Sequence, residues 1–172
     1  MIRLGIVLSA TPGGGRFQYA QTVLDAVLRF PEADFELTAA LSSPDWLSLV
    51  PDKRVKIIWL TESARNRTVN RLWHASRLST SLWRKVAPVL DSNVAALVGA
   101  HCDLWICPSN DRWSFRAPIP ALGTIHDLMH IHERHFPEAG SEEEVRERDM
   151  HFSETCKWAL GVAVDPAMGS ST

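Results

Sequence analysis

Residues 2–30, IRLGIVLSATPGGGRFQYAQTVLDAVLRF, decide the fold. They read as one strand, one glycine loop and one helix. The strand IRLGIVLS ends in Ala10-Thr11-Pro12-Gly13-Gly14-Gly15-Arg16, and FQYAQTVLDAVLRF follows directly. Three consecutive glycines bury no side chain and lose the most backbone entropy on ordering. They serve a positive φ, or the close approach of a backbone to something else. At the carboxyl end of a first strand, facing a helix N-terminus, that something is often an anion. A plain tight strand-to-helix turn is the alternative.

The alternation continues along the chain. Residues 34–42 (DFELTAALS), 55–60 (VKIIWL), 103–108 (DLWICP), 121–126 (ALGTIH) and 162–164 read as strands. Residues 45–50 form a short helical piece, 62–87 one long helix and 91–100 another. Ser141 with Glu144 matches a capping box, and an acidic first turn opens a helix that Gly161 stops. Strands that are apolar almost throughout and separated by helices need cover on both faces. The expected architecture is α/β: a doubly wound, mostly parallel sheet with helices on both faces.

Totals narrow the function classes. A chain of 172 residues forms one ordinary domain with a real core, and a formal charge of −2 makes no case for nucleic acid. No apolar run approaches the roughly 20 residues needed to cross a bilayer. Met1-Ile2-Arg3 leads into a strand without the features of a secretory signal. Cys102, Cys107 and Cys156 are odd in number and lack metal spacing, which predicts a reduced, cytosolic setting. Of the seven tryptophans most are expected in the core. Asp165-Pro166-Ala167-Met168-Gly169 resembles the start of another strand-to-helix turn, so the expectation is a domain cut from a longer chain.

Two further features carry chemistry. On the helix expected over 62–87, Val69, Leu72, Trp73, Ser76, Leu82, Trp83 and Val86 form one stripe. Arg67, Arg71, Arg77, Arg84 and Lys85 fall on the flank or the opposite side, with no acidic residue between Glu62 and Asp91. This face reads as a surface for anionic lipid or a phosphorylated acceptor, or as a solvated helix face. The second feature is Thr124-Ile125-His126-Asp127-Leu128-Met129-His130-Ile131-His132-Glu133-Arg134-His135, which holds four of seven histidines. His126, Asp127 and His130 superficially resemble a metal-dependent phosphohydrolase set, but the pair ends a strand and the other histidines lack ligand spacing. In an open parallel sheet, ligands bind outside the carboxyl ends of the strands. His126 and Asp127 should therefore share one crevice with Gly13, Gly14 and Gly15, where a histidine can bond a sugar hydroxyl or a phosphate, or act as acid or base. No G-x-G-x-x-G, P-loop or nucleophile elbow is present.

Four pieces together resemble the N-terminal half of a family 4 (group 1) glycosyltransferase of GT-B fold: the first strand with GGGRFQYAQTVLDAVL, TIHDLMH with the downstream HFPE, RERDMHFSETCKWA, and GVAVDPAMG. They cover nearly the whole chain. The resemblance implies a Rossmann-like acceptor-side domain over residues 1–172, with a C-terminal nucleotide-sugar domain absent from the chain. It implies hexose transfer from a nucleotide-sugar donor to a saccharide or lipid-linked acceptor, with no bound metal or other cofactor. Gly13, Gly14, Gly15, Arg16, Phe17 and His130 would line the substrate cleft, and His126 with Asp127 would face the transferred sugar. The basic residue and the glutamates that hold the donor diphosphate in that family have no counterpart here, so this domain alone should be inactive. A stand-alone binding module for a small anion is the rival from another class, and a metal-dependent hydrolase on His126, Asp127 and His130 is the third. The cationic helix adds peripheral contact with an anionic membrane as an expectation.

Overall fold

The computed structural model describes residues 1–50, 53–76, 79–126 and 141–164. Six strands form one sheet: β1 (Ile2–Leu8), β2 (Phe35–Leu41), β3 (Val55–Trp59), β4 (Leu104–Cys107), β5 (Ala121–Ile125) and β6 (Gly161–Val164). Their order is β3-β2-β1-β4-β5-β6, and every pairing is parallel. The chain thus has the doubly wound, Rossmann-like α/β architecture expected from its pattern.

Alternation within the strands sends side chains to two cores. Leu4, Ile6 and Leu8 of β1 join Leu37, Ala39 and Leu41 of β2 under α1 (Gly15–Leu28), together with Leu24, Val27 and Trp46. Val7 and Ala40 point the other way, into a core with Trp105 and Cys107 of β4. That second core is roofed by α3 (Thr80–Leu90) and α4 (Ser92–Gly99), through Trp83, Ala87, Val94 and Leu97. Gly5 lies opposite Trp105 in the β1–β4 register. A Cβ on Gly5 would stand 2.3 Å from the indole, so the glycine is the space in which Trp105 lies against the sheet. Trp46 and Trp105 are fully buried and Trp83 nearly so, while Trp59 remains substantially exposed.

The helix expected over 62–87 is two helices, α2 (Ala64–Ser76) and α3. Ser79 caps the second, its hydroxyl accepting from the Leu82 N–H. The predicted stripe does not face one way: Trp83 is buried, but Leu72 and Leu82 are exposed. A short α5 (Trp113–Arg116) after β4 was not expected. The capping box is present at Ser141 and Glu144, opening α6 (Glu142–Trp158). Residues 45–50 shorten to a 3-10 turn, Pro44–Ser48. Among the described residues no helix is long and apolar enough to cross a membrane.

Candidate functional site

The direction of winding changes between β1 and β4. From β1 the chain builds β2 and β3 on one side, and β4 opens the other. Connections that leave neighbouring strands toward opposite sides open a gap beyond their carboxyl ends. Residues 9–17 and 108–111 face one another across that gap, and His126 follows β5 beside it. The result is a crevice of about 870 Å³.

One wall is mostly backbone. Ser42 donates its backbone N–H to the Leu8 carbonyl, and its hydroxyl reaches the carbonyls of Leu8 and Ser9. The buried Trp46 donates its indole N–H to the Ala10 carbonyl at 3.1 Å and stacks, tilted, on Phe17. So anchored, the chain turns at Gly13, whose φ of 97° lies in the region that side chains disfavour. Gly14 is the N-cap of α1, and no side chain caps this helix. The N–H groups of Phe17 and Gln18 return to the Gly14 carbonyl. Those of Gly15 and Arg16 stand at the positive end of the helix dipole, on the crevice rim.

The other wall is built of side chains. His126 Nε2 lies 2.6 Å from the Pro108 carbonyl oxygen. A carbonyl only accepts, so Nε2 carries a proton and Nδ1 is the ring atom left for other chemistry. The His126 backbone N–H donates to Asn110 Oδ1, and Tyr19 of α1 meets the imidazole edge-on at 4.7 Å between ring centres. The position of His126 is therefore fixed by the loop after β4 and by α1. Asp111 accepts from the Ser9 hydroxyl at 3.0 Å and from the Trp113 N–H at 3.1 Å. Burial nevertheless pushes its carboxyl up to about 7, against the lowering effect of both bonds. Ser109 lines the crevice with a buried hydroxyl that has no hydrogen-bond partner.

The predicted juxtaposition is present: Gly13, Gly14, Gly15, Arg16, Phe17 and His126 share this crevice. Asp127, His130 and Arg77 lie outside the described residues, as do residues 165–169. The sequence reading passed over Ser9, Tyr19, Ser109, Asn110 and Asp111. Arg67, Arg71 and Lys85 are exposed on α2 and α3. Arg84 departs from the expected outward face. It is half-buried, donates to the carbonyls of Phe115 and Ala117 at 2.8 and 2.6 Å, and lies over the Trp158 ring. Its long side chain satisfies the end of α5, and burial lowers its pKa. A smaller hollow of about 310 Å³ adjoins the crevice through Arg16 and Asn110 and reaches His151 of α6. Burial, and then the charge of Arg112, pull the His151 imidazole down to about 4.

Among the described residues, no three His, Cys, Asp or Glu side chains gather as metal ligands. No family model matches the chain, and no curated protein matches it.

Proposed function

We propose that this chain is the acceptor-side domain of a glycosyltransferase that moves a hexose from a nucleotide-sugar to a saccharide or lipid-linked acceptor. The observation that carries the reading is the meeting of the glycine loop, the uncapped start of α1 and His126 in one crevice at the switch point of the sheet. The first two suit a phosphate oxygen. With Nε2–H bound to Pro108, the His126 ring presents Nδ1 to a sugar hydroxyl. Stabilisation of the leaving diphosphate would fall to a second, nucleotide-binding domain. Exposed Arg67, Arg71 and Lys85 favour an acidic acceptor or an anionic membrane surface near the crevice domain.

The test is transfer by a chain extended through that second domain. His126→Ala should slow turnover at least tenfold, which is about 1.4 kcal/mol of transition-state stabilisation. An unchanged rate removes His126 from the mechanism. Calorimetry on the 172-residue chain should give negligible binding of nucleotide-sugars, whereas the extended chain binds them.

One observation favours a second reading. The crevice already has two walls within this chain, with Arg16 and the uncapped helix on one rim. A binding module for a small anion, without catalysis, needs nothing more. Tight nucleotide-sugar or phosphate binding by the 172-residue chain, lost in Arg16→Ala, would select it over the transferase.

A further inference from the structure

Away from the crevice, α2, α3, α5 and α6 enclose a second pocket of about 430 Å³. Its floor holds an anomaly. Arg116 is only 8% exposed, yet it makes no ion pair among the described residues. One guanidinium nitrogen donates to Asn70 Oδ1 at 2.6 Å, and the group lies over the Trp83 ring at 4.9 Å. Among the described residues its Nε has no acceptor, and neither does the enclosed indole N–H of Trp83. Buried charges are ordinarily paired, and a buried donor left without an acceptor costs roughly 1–3 kcal/mol. Burial is strong enough here to draw the Arg116 pKa down to about 10. The charge of Arg112, which also lines the pocket, opposes Arg116, while that of Asp91 favours it.

The rest of the wall supplies the same kind of partner. Ser79, Thr80 and Ser81 form the first turn of α3, an eleven-residue helix, and bring two hydroxyls beyond the capping one together with the positive end of its dipole. Lys157 lies on the rim. Among the described residues the one carboxylate of the lining, Glu154, is engaged by the Trp158 indole N–H at 3.0 Å. Opposite these donors stand the apolar surfaces of Trp73, Phe115 and Met150.

We propose that this pocket binds a small phosphate monoester carrying an apolar body, with the phosphate on Arg116 and the first turn of α3 and the body against Trp73, Phe115 and Met150. The Arg116 charge, helix N–H groups and hydroxyls together suit a tetrahedral dianion, which offers more acceptor oxygens than a carboxylate. The volume accommodates one compact body. This inference stands apart from the transferase reading, because it uses no residue of the crevice.

Phenyl phosphate is the probe, titrated into the 172-residue chain and followed by calorimetry and by the Met150 methyl resonance. Saturable binding with a Met150 shift is expected, at least tenfold tighter than inorganic phosphate and than benzyl alcohol. Arg116→Met should weaken it at least tenfold. Ser81→Asp should do the same while keeping the fold, since an acid suits the first turn of a helix. That variant decides the matter if Arg116→Met fails to fold. Absence of binding overturns the proposal, as does affinity that survives Ser81→Asp. It also falls if inorganic phosphate binds equally well, or if vesicles containing phosphatidic acid are captured while phenyl phosphate is not.

Discussion

The two ends of β4 carry aspartates with opposite consequences. At the amino end, Asp103 accepts from the Arg3 backbone N–H and guanidinium at 2.8 Å, tying β4 to β1. Those bonds hold its carboxyl at about 2, below the usual carboxylate range. At the carboxyl end, Asp111 sits in the crevice wall with its carboxyl raised to about 7. The first aspartate prefers the folded state when ionised, and the second when protonated. One edge of the sheet is arranged for stability. The other keeps a half-buried carboxyl of raised pKa, a Ser109 hydroxyl without a partner among the described residues and an uncapped helix, all of which favour unfolding unless a ligand meets them.

The largest expected effect tests that contrast directly. Asp111 keeps its proton in the fold at pH values where the unfolded chain has lost it. Its stabilising contribution is complete below 3.8 and is lost as pH rises through about 7. Asp111→Asn retains a donor and an acceptor for Ser9 and the Trp113 N–H while removing the titration. Above pH 7 the variant should therefore be more stable than the parent, by an amount on the order of a few kcal/mol. The advantage should shrink toward zero as pH falls to 4, as read from urea midpoints across that range. His151 acts in the opposite sense: its folded pKa of about 4 adds stability as pH rises toward 6.5, so the parent's own profile is the sum of two opposed slopes. An advantage for Asp111→Asn that is independent of pH would break the comparison.

The next effect belongs to the interior of the sheet. Gly5→Ala sets a methyl into the rigid part of the Trp105 indole, flanked by paired strands that cannot separate cheaply. Overpacking of this kind costs about 1–3 kcal/mol. Chemical denaturation should show that loss with an unchanged dependence on denaturant. A neutral result would mean that the β1–β4 seam is looser than its geometry.

The parallel sheet was legible because its strands are apolar on both faces and the intervening segments have helical periodicity. The glycine loop and His126 were legible because each adjoins a strand end, where topology alone fixes the neighbourhood. Ser109, Asn110 and Asp111 were not, because a Ser-Asn-Asp run after a strand is ordinary turn composition. They become crevice residues only because β4 pairs with β1, a contact that joins residues about a hundred positions apart. The break between α2 and α3 carries no glycine or proline. It rests on the Ser79 cap and on the burial of Trp83, with Arg84 drawn to the end of α5. A helical wheel places Arg84 outward because it carries no knowledge of the Phe115 and Ala117 carbonyls that draw it in.

The smallest expected effect sharpens the contrast between edges, because its sign reverses. Gly15 begins α1 without a positive φ, and a Cβ there meets nothing within 4 Å. Gly15→Ala thus fits the folded backbone and removes freedom from the unfolded chain, which should stabilise the protein by about 0.4–1 kcal/mol. The same substitution type that weakens the middle of β1 should strengthen its carboxyl edge. Yet the new methyl stands on the crevice rim beside the free N–H groups of α1, where an anion would approach. Thermal melting should therefore show a gain for Gly15→Ala while a chain extended through the second domain of the proposed transferase loses affinity for nucleotide-sugar. A gain in stability with no loss of ligand would mean that the open space at the triglycine serves only the turn.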